Sequence, residues 1–143
     1  MGRLTVHARL STLLKLAAWG CVIALVLLSE LPGRDLVRTD IAKLGYGKQL
    51  EHVIAYFGAT TIIGLAYQAR ISRLALVLVL VPFAAALEIG QLYVPDRGAS
   101  VIDFAASTTG IIAASLLLPL AGRVLVWVLS PAPVPQKRKG QAG

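Results

Sequence analysis

Long runs of apolar residues, separated by short polar stretches, set the pattern of the chain. One run, residues 53–69, holds no charged residue, and another, residues 74–94, holds a single one, Glu88. A helix needs about 20 mostly apolar residues to cross the hydrocarbon core of a bilayer. The pattern therefore predicts an all-α integral membrane protein, a bundle of four transmembrane helices over residues 10–30, 52–69, 74–94 and 101–122.

The polar stretches between these runs predict loops and a tail. Residues 31–50 are rich in glycine and charge, which favours an interfacial loop with a short helix that ends near residue 44. Residues 68–73 form a tight connection, so the second and third helices are expected to lie antiparallel. Prolines followed by basic residues predict a disordered cytoplasmic tail over residues 131–143.

Composition agrees with a membrane protein of one domain. Of the 143 residues, 57% are hydrophobic and 15% are charged, against about 25% charged in soluble domains. The basic start and short apolar core resemble a signal peptide, but residues 27–29 lack a small-x-small cleavage pattern, so we expect a retained helix. Cys21 is the only cysteine, which excludes an intrachain disulfide and a cysteine metal site.

The distribution of charge predicts the topology. Nine of the 14 basic residues, and none of the seven acids, fall on the side that would hold both termini and the 68–73 turn. Positive residues favour the cytoplasmic side of a membrane, so both termini are expected to be cytoplasmic. Because the basic residues flank apolar runs instead of forming one patch, nucleic acid is not an expected partner.

Polar residues from three predicted helices and one turn are expected to meet at the extracytoplasmic face. Ionisable groups inside membrane spans are costly and usually functional, and Glu88 is such a group. The candidate binding residues are Lys48, His52, Tyr56, Glu88, Gln91, Arg97, Asp103 and Ser107.

Each of these residues also has a structural interpretation, which stays open. Glu88 is either a proton acceptor, a headgroup-binding acid or a partner of Arg97 or His52. Asp103 lies three residues after Ser100, as in a capping box, and an acid there complements the helix dipole. No spacing demands a metal ion, and we predict no metal or cofactor. Small residues that permit close helix packing recur at Ala106, Gly110 and Ala114.

The order and spacing of the polar residues carry a resemblance. They read Lys48-x3-His52-x3-Tyr56 and Glu88-x2-Gln91-x3-Pro95-x-Arg97-x5-Asp103, with Gly110 beyond. Over about residues 47–114 the chain resembles the VanZ-like family, small bacterial membrane proteins named for a teicoplanin-resistance factor. It departs from the family at Ser107, where an asparagine is usual, and at Gly47, where an aspartate is usual. The resemblance implies an envelope protein of the bacterial inner membrane that reduces susceptibility to lipophilic glycopeptides.

Three hypotheses of function follow. In the first, Arg97 and Lys48 hold an anionic, lipid-linked or phosphorylated headgroup, Glu88 and His52 supply hydrogen bonds or a shared proton, and Asp103 orients Arg97. In the second, the chain is an enzyme that acts on a lipid or polyprenyl phosphate by acid–base chemistry of Glu88 and His52. In the third, it is a non-catalytic accessory subunit of an envelope-assembly complex, or a small transporter. Membrane lipids are expected partners in each, and a homo-oligomer stays open.

Overall fold

The computed structural model describes residues 2–32, 45–68 and 70–130 of the chain. All regular structure in these ranges is helical, which confirms the predicted all-α fold. The predicted short helix before residue 44 and the predicted tail over residues 131–143 lie outside the described residues. The elements are α1 (Gly2–Glu30), α2 (Gly47–Tyr67), α3 (Arg73–Gly90), a 3-10 turn (Gln91–Tyr93) and α4 (Val101–Leu129).

All four α-helices contain segments long and apolar enough to cross a membrane, which confirms a multi-pass membrane protein. The most apolar 18-residue segment has a mean hydropathy of 1.2 in α2 and of 2.0 to 2.1 in the other three helices. The apolar segment of α2 is thus the most polar of the four, and α2 forms the most extensive contact between helices, with α4. Its polar residues therefore have neighbouring protein to contact instead of lipid alone.

Serine side chains begin α3 and α4. The Ser72 hydroxyl accepts a hydrogen bond from the amide of Ala75 at 3.1 Å, and the Ser100 hydroxyl accepts one from the amide of Asp103 at 3.3 Å. Such caps satisfy amides that have no acceptor within the helix. Between the helices, Asp96 takes the left-handed conformation with φ 59°, which aspartate tolerates better than most residues. This sharp turn brings the end of α3 close to the start of α4.

Helix direction alternates through the bundle. The end of α1 contacts the end of α3, because Ser29 bonds to the carbonyl of Leu87. The start of α2 contacts the start of α4, because Lys48 pairs with Asp103. We call the end of the bundle where α1 and α3 finish and α2 and α4 start the polar end. The other end is the basic end, since it carries Arg70, Arg73 and Arg123.

A glycine brings α2 and α4 together backbone to backbone. A Cβ atom at Gly110 would lie 2.5 Å from the carbonyl oxygen of Val53 and 3.0 Å from the amide nitrogen of Phe57. Only glycine fits this approach, since the clash would be with main chain and not with a flexible side chain. Of the predicted small-residue stripe, Gly110 and Ala114 are buried and Ala106 is half-buried. The core of the bundle surrounds this contact and contains Tyr56, Ile63, Leu76, Leu80, Ile111 and Leu118.

Candidate functional site

The first turns of α2 and α4 hold a buried carboxylate with two partners. Asp103 is 1% exposed, yet its Oδ2 lies 2.5 Å from Nζ of Lys48, whose side chain is 49% exposed. The Asp103 Oδ1 accepts a hydrogen bond from Nε2 of Gln49 at 3.3 Å. A buried charge is tolerated when it is paired and hydrogen-bonded. The ion pair thus joins a fully buried acid to a base that reaches the surface.

One turn deeper, a histidine meets a serine across the same helix pair. The Ser107 hydroxyl donates to the main-chain carbonyl of Asp103 at 3.0 Å, and its oxygen lies 3.2 Å from Nδ1 of His52. When the hydroxyl proton lies on the Asp103 carbonyl, a neutral His52 ring donates from Nδ1 and keeps the lone pair on Nε2; in the other tautomer Nδ1 accepts. Tyr56 is buried one further turn along α2. We call Lys48, Gln49, His52, Tyr56, Asp103 and Ser107 the polar cluster.

Glu88 joins the end of α3 to the start of α4. Its Oε1 accepts a hydrogen bond of 2.6 Å from the amide of Ser100, the residue that caps α4. In a capping box the acid three residues after the cap would accept from that amide. Here Glu88 takes that place, so the carboxylate of Asp103 is directed to α2 and not back to its own helix. The Ser100–Asp103 spacing therefore produces half of a capping box.

Two of the predicted site residues form hydrogen bonds to the end of α1. Nε2 of Gln91 donates to the Ser29 hydroxyl at 3.1 Å, and a guanidinium nitrogen of Arg97 donates to the carbonyl of Leu28 at 3.0 Å. Cations and donors at a helix C-terminus satisfy carbonyls that lack intrahelical partners. We call Ser29, Gln91 and Arg97, with the Leu28 carbonyl, the α1 clamp.

The hypothesis that Asp103 orients Arg97 stays a prediction. Asp103 forms an ion pair with Lys48 across the α2–α4 contact, and Arg97 donates to the end of α1. The spacing of residues along α4 gave the depth of Asp103 but not the direction of its side chain. Direction depends on Glu88, which occupies the competing donor on Ser100.

Sequence reasoning missed three residues of these networks, namely Ser29, Gln49 and Ser100 as a partner of Glu88. Gln49 follows Lys48 directly and lies in the first turn of a helix that starts at Gly47. Its position beside the charged Lys48 and two turns before Tyr56 indicates a polar site residue, so Gln49 could have been predicted from the sequence. Ser29 follows an uninterrupted apolar run, where a single serine gives little indication of a partner.

The chemistry of the cluster is that of a polar binding site with titratable groups. Among the described residues, no three His, Cys, Asp or Glu side chains form a group that could hold a metal ion. The cluster offers an ammonium at the surface, a half-buried imidazole and a buried acid, and α2 and α4 both start here. The positive ends of two helix dipoles therefore point toward the same region, and they favour negative charge.

Comparisons of the chain with protein-family models, with curated proteins and with solved structures find no match. The resemblance to the VanZ-like family stays a prediction from the spacing of the polar residues.

Proposed function

We propose that the protein binds the anionic headgroup of a lipid-linked or phosphorylated molecule at the polar end, with the ammonium of Lys48 as the principal contact. The observation that carries the proposal is the ion pair of Lys48, half exposed, with Asp103, fully buried. A flexible lysine loses side-chain entropy when it is fixed at a ligand. Asp103 fixes it in advance, and two of its three N–H donors remain for an anion.

The surroundings of Lys48 favour an anion in two further ways. The starts of α2 and α4 lie together, so amides and dipoles of both helices stabilise negative charge there. His52 adds a second polar group one turn below, with Nε2 available to accept a hydrogen bond in the tautomer that donates from Nδ1. A headgroup with both a phosphate and a hydroxyl, or a monoprotonated phosphate, would complement a cation beside an acceptor.

In this proposal the protein is a VanZ-like envelope protein of the bacterial inner membrane, with both termini in the cytoplasm and the polar end outside. The excess of basic residues at the other end supports this orientation. A headgroup bound at the outer leaflet would then alter the envelope and susceptibility to teicoplanin. The Lys48–Asp103 pair supports headgroup binding, and the family resemblance supports the choice of envelope lipids.

The decisive experiment is binding of a polyprenyl phosphate to the purified chain in detergent micelles. We expect Lys48→Gln to weaken binding about tenfold, which corresponds to about 1.4 kcal/mol. Arg70→Gln removes the same charge at the opposite end and is expected to bind like wild type. Equal affinities of wild type and Lys48→Gln would refute the proposal. In cells, teicoplanin susceptibility of both variants at matched membrane abundance would test the envelope role separately.

An acid–base enzyme acting on the same class of phosphate is the second candidate, and the geometry of His52 favours it. In the tautomer that donates from Nδ1 to Ser107, Nε2 carries the lone pair that a general base uses. Turnover of a polyprenyl phosphate that His52→Gln and Glu88→Gln abolish, without loss of binding, would support this candidate. Binding without turnover across a panel of lipid phosphates would favour the first.

A further inference from the structure

A groove at the basic end is separate from the polar cluster. It has a volume of about 470 Å³ and lies between the start of α3 and the middle of α4. Its walls are apolar, with Leu74 and Val77 on one side and Ile112 and Leu116 on the other. A volume of this size is typical of small-molecule sites. Since the surrounding helix faces are exposed, the groove opens to lipid.

Two features make the groove more than an apolar gap. The hydroxyl of Ser115, which lines it, is buried without a hydrogen-bond partner, and the residue is only 5% exposed. The groove also contains the first turn of α3, where Ser72 caps only the amide of Ala75. Arg73, in the same turn, is exposed and lines the groove as well. A buried hydroxyl without a partner favours a ligand that supplies one.

We propose that this groove binds an anionic phospholipid, with its phosphate at the first turn of α3 beside Arg73 and its ester region on the hydroxyl of Ser115. The helix start and a guanidinium both favour a phosphate. The apolar walls accept the first part of an acyl chain. Among the described residues, the basic end carries no acidic side chain, which favours a negatively charged headgroup there.

Lipid binding to the full chain in detergent, followed by native mass spectrometry, tests this proposal. We expect Arg73→Gln to weaken phosphatidylglycerol binding about tenfold, and Arg70→Gln, outside the groove, to change it less than about twofold. Ser115→Ala is expected to weaken binding about threefold, as loss of one neutral hydrogen bond would. Thr109→Ala, an exposed position on α4, is the matched control.

Three further comparisons test whether the groove prefers an anionic lipid. Phosphatidylcholine is expected to bind more weakly than phosphatidylglycerol, and millimolar inorganic phosphate is expected not to displace the lipid. Equal binding of the two lipids, or equal effects of Arg73→Gln and Arg70→Gln, would overturn the proposal. Displacement by inorganic phosphate would assign the site to the free anion instead of the lipid. Lys48→Gln alters the polar end and leaves the groove intact. A loss of phosphatidylglycerol binding in this variant would therefore assign the lipid to the polar end and not to the groove.

Discussion

The α2–α4 pair and the helix α1 show two different ways in which helices are held in this bundle. α2 and α4 approach main chain to main chain at Gly110 and share the ion pair and hydrogen bonds of the polar cluster. In the membrane-spanning segment of α1, by contrast, only 6% of the residues are buried, against 22% to 28% in the corresponding segments of the other helices. In lipid, apolar surface gives no driving force for association, so close packing and polar contacts decide.

The contact of α1 with the rest of the bundle is confined to one side of the helix. Ala18 is 2% exposed, Val22 and Leu25 pack against the core, and Ser29 is buried at the clamp. These residues recur every three or four positions, so they form one stripe along the helix. Polar contacts hold the stripe at the polar end through the α1 clamp. The difference suggests that α2 and α4 determine the fold and that α1 is attached to it.

Gly110→Leu is expected to have the largest effect, because it disrupts the α2–α4 contact and not the packing of α1. The added side chain meets main chain of α2, which cannot yield without parting the helices, so we expect a loss of about 3 kcal/mol or more in the free energy of unfolding. Gly20→Leu in α1 is the control, because nothing lies within 4 Å of a Cβ atom there. The measurement is unfolding in detergent by titration with SDS. Similar stabilities of the two variants would contradict a tight α2–α4 contact.

Asp103→Asn is expected to have the next largest effect. It removes the charge that holds Lys48, and because Lys48 is half exposed we expect a loss of only about 1.5 kcal/mol in the same assay. Asp96→Asn makes the same chemical change in the exposed turn, where asparagine also tolerates a positive φ. A larger loss for Asp96→Asn than for Asp103→Asn would contradict this account of the polar cluster.

Ser29→Ala should loosen α1 while it leaves α2 and α4 paired. It removes the acceptor of the Gln91 amide, so we expect a loss of about 1 kcal/mol and faster amide hydrogen exchange near the end of α1. Ser11→Ala, on the same helix outside the clamp, is expected to change neither quantity. Faster exchange in α2 and α4 as well would mean that α1 is part of the same cooperative unit.

Gly64→Ala is expected to have the smallest effect, although it too lies on the α2–α4 contact. The added Cβ would lie 2.7 Å from both methyl groups of Leu118, the flexible end of a side chain. Because the clash is with the flexible end of a side chain, we expect a loss of less than about 1 kcal/mol in the free energy of unfolding. A loss as large as that of Gly110→Leu would show that the whole contact is rigid.

The sequence predicted the helices better than the partners of their polar residues. Long apolar runs determine where helices lie, and Ser100 predicts the start of α4 because its capping chemistry is local. Partner choice depends on how each helix is rotated and on competition between acceptors. Glu88 takes the amide of Ser100, and this frees Asp103 for Lys48. Gln91 and Arg97 also form hydrogen bonds to the end of α1, and these contacts depend on the position of α1, which the spacing of the residues does not predict.

The helices differ in length, and this affects the surrounding lipid. α4 has 29 residues and is about 44 Å long, whereas α3 has 18 residues and is about 27 Å long. A bilayer core of about 30 Å matches α3 but not an upright α4. α4 must tilt or carry its last turns, with the exposed Trp127, into the headgroup layer. Bilayers of different chain length should therefore change the tilt of α4 more than that of α3.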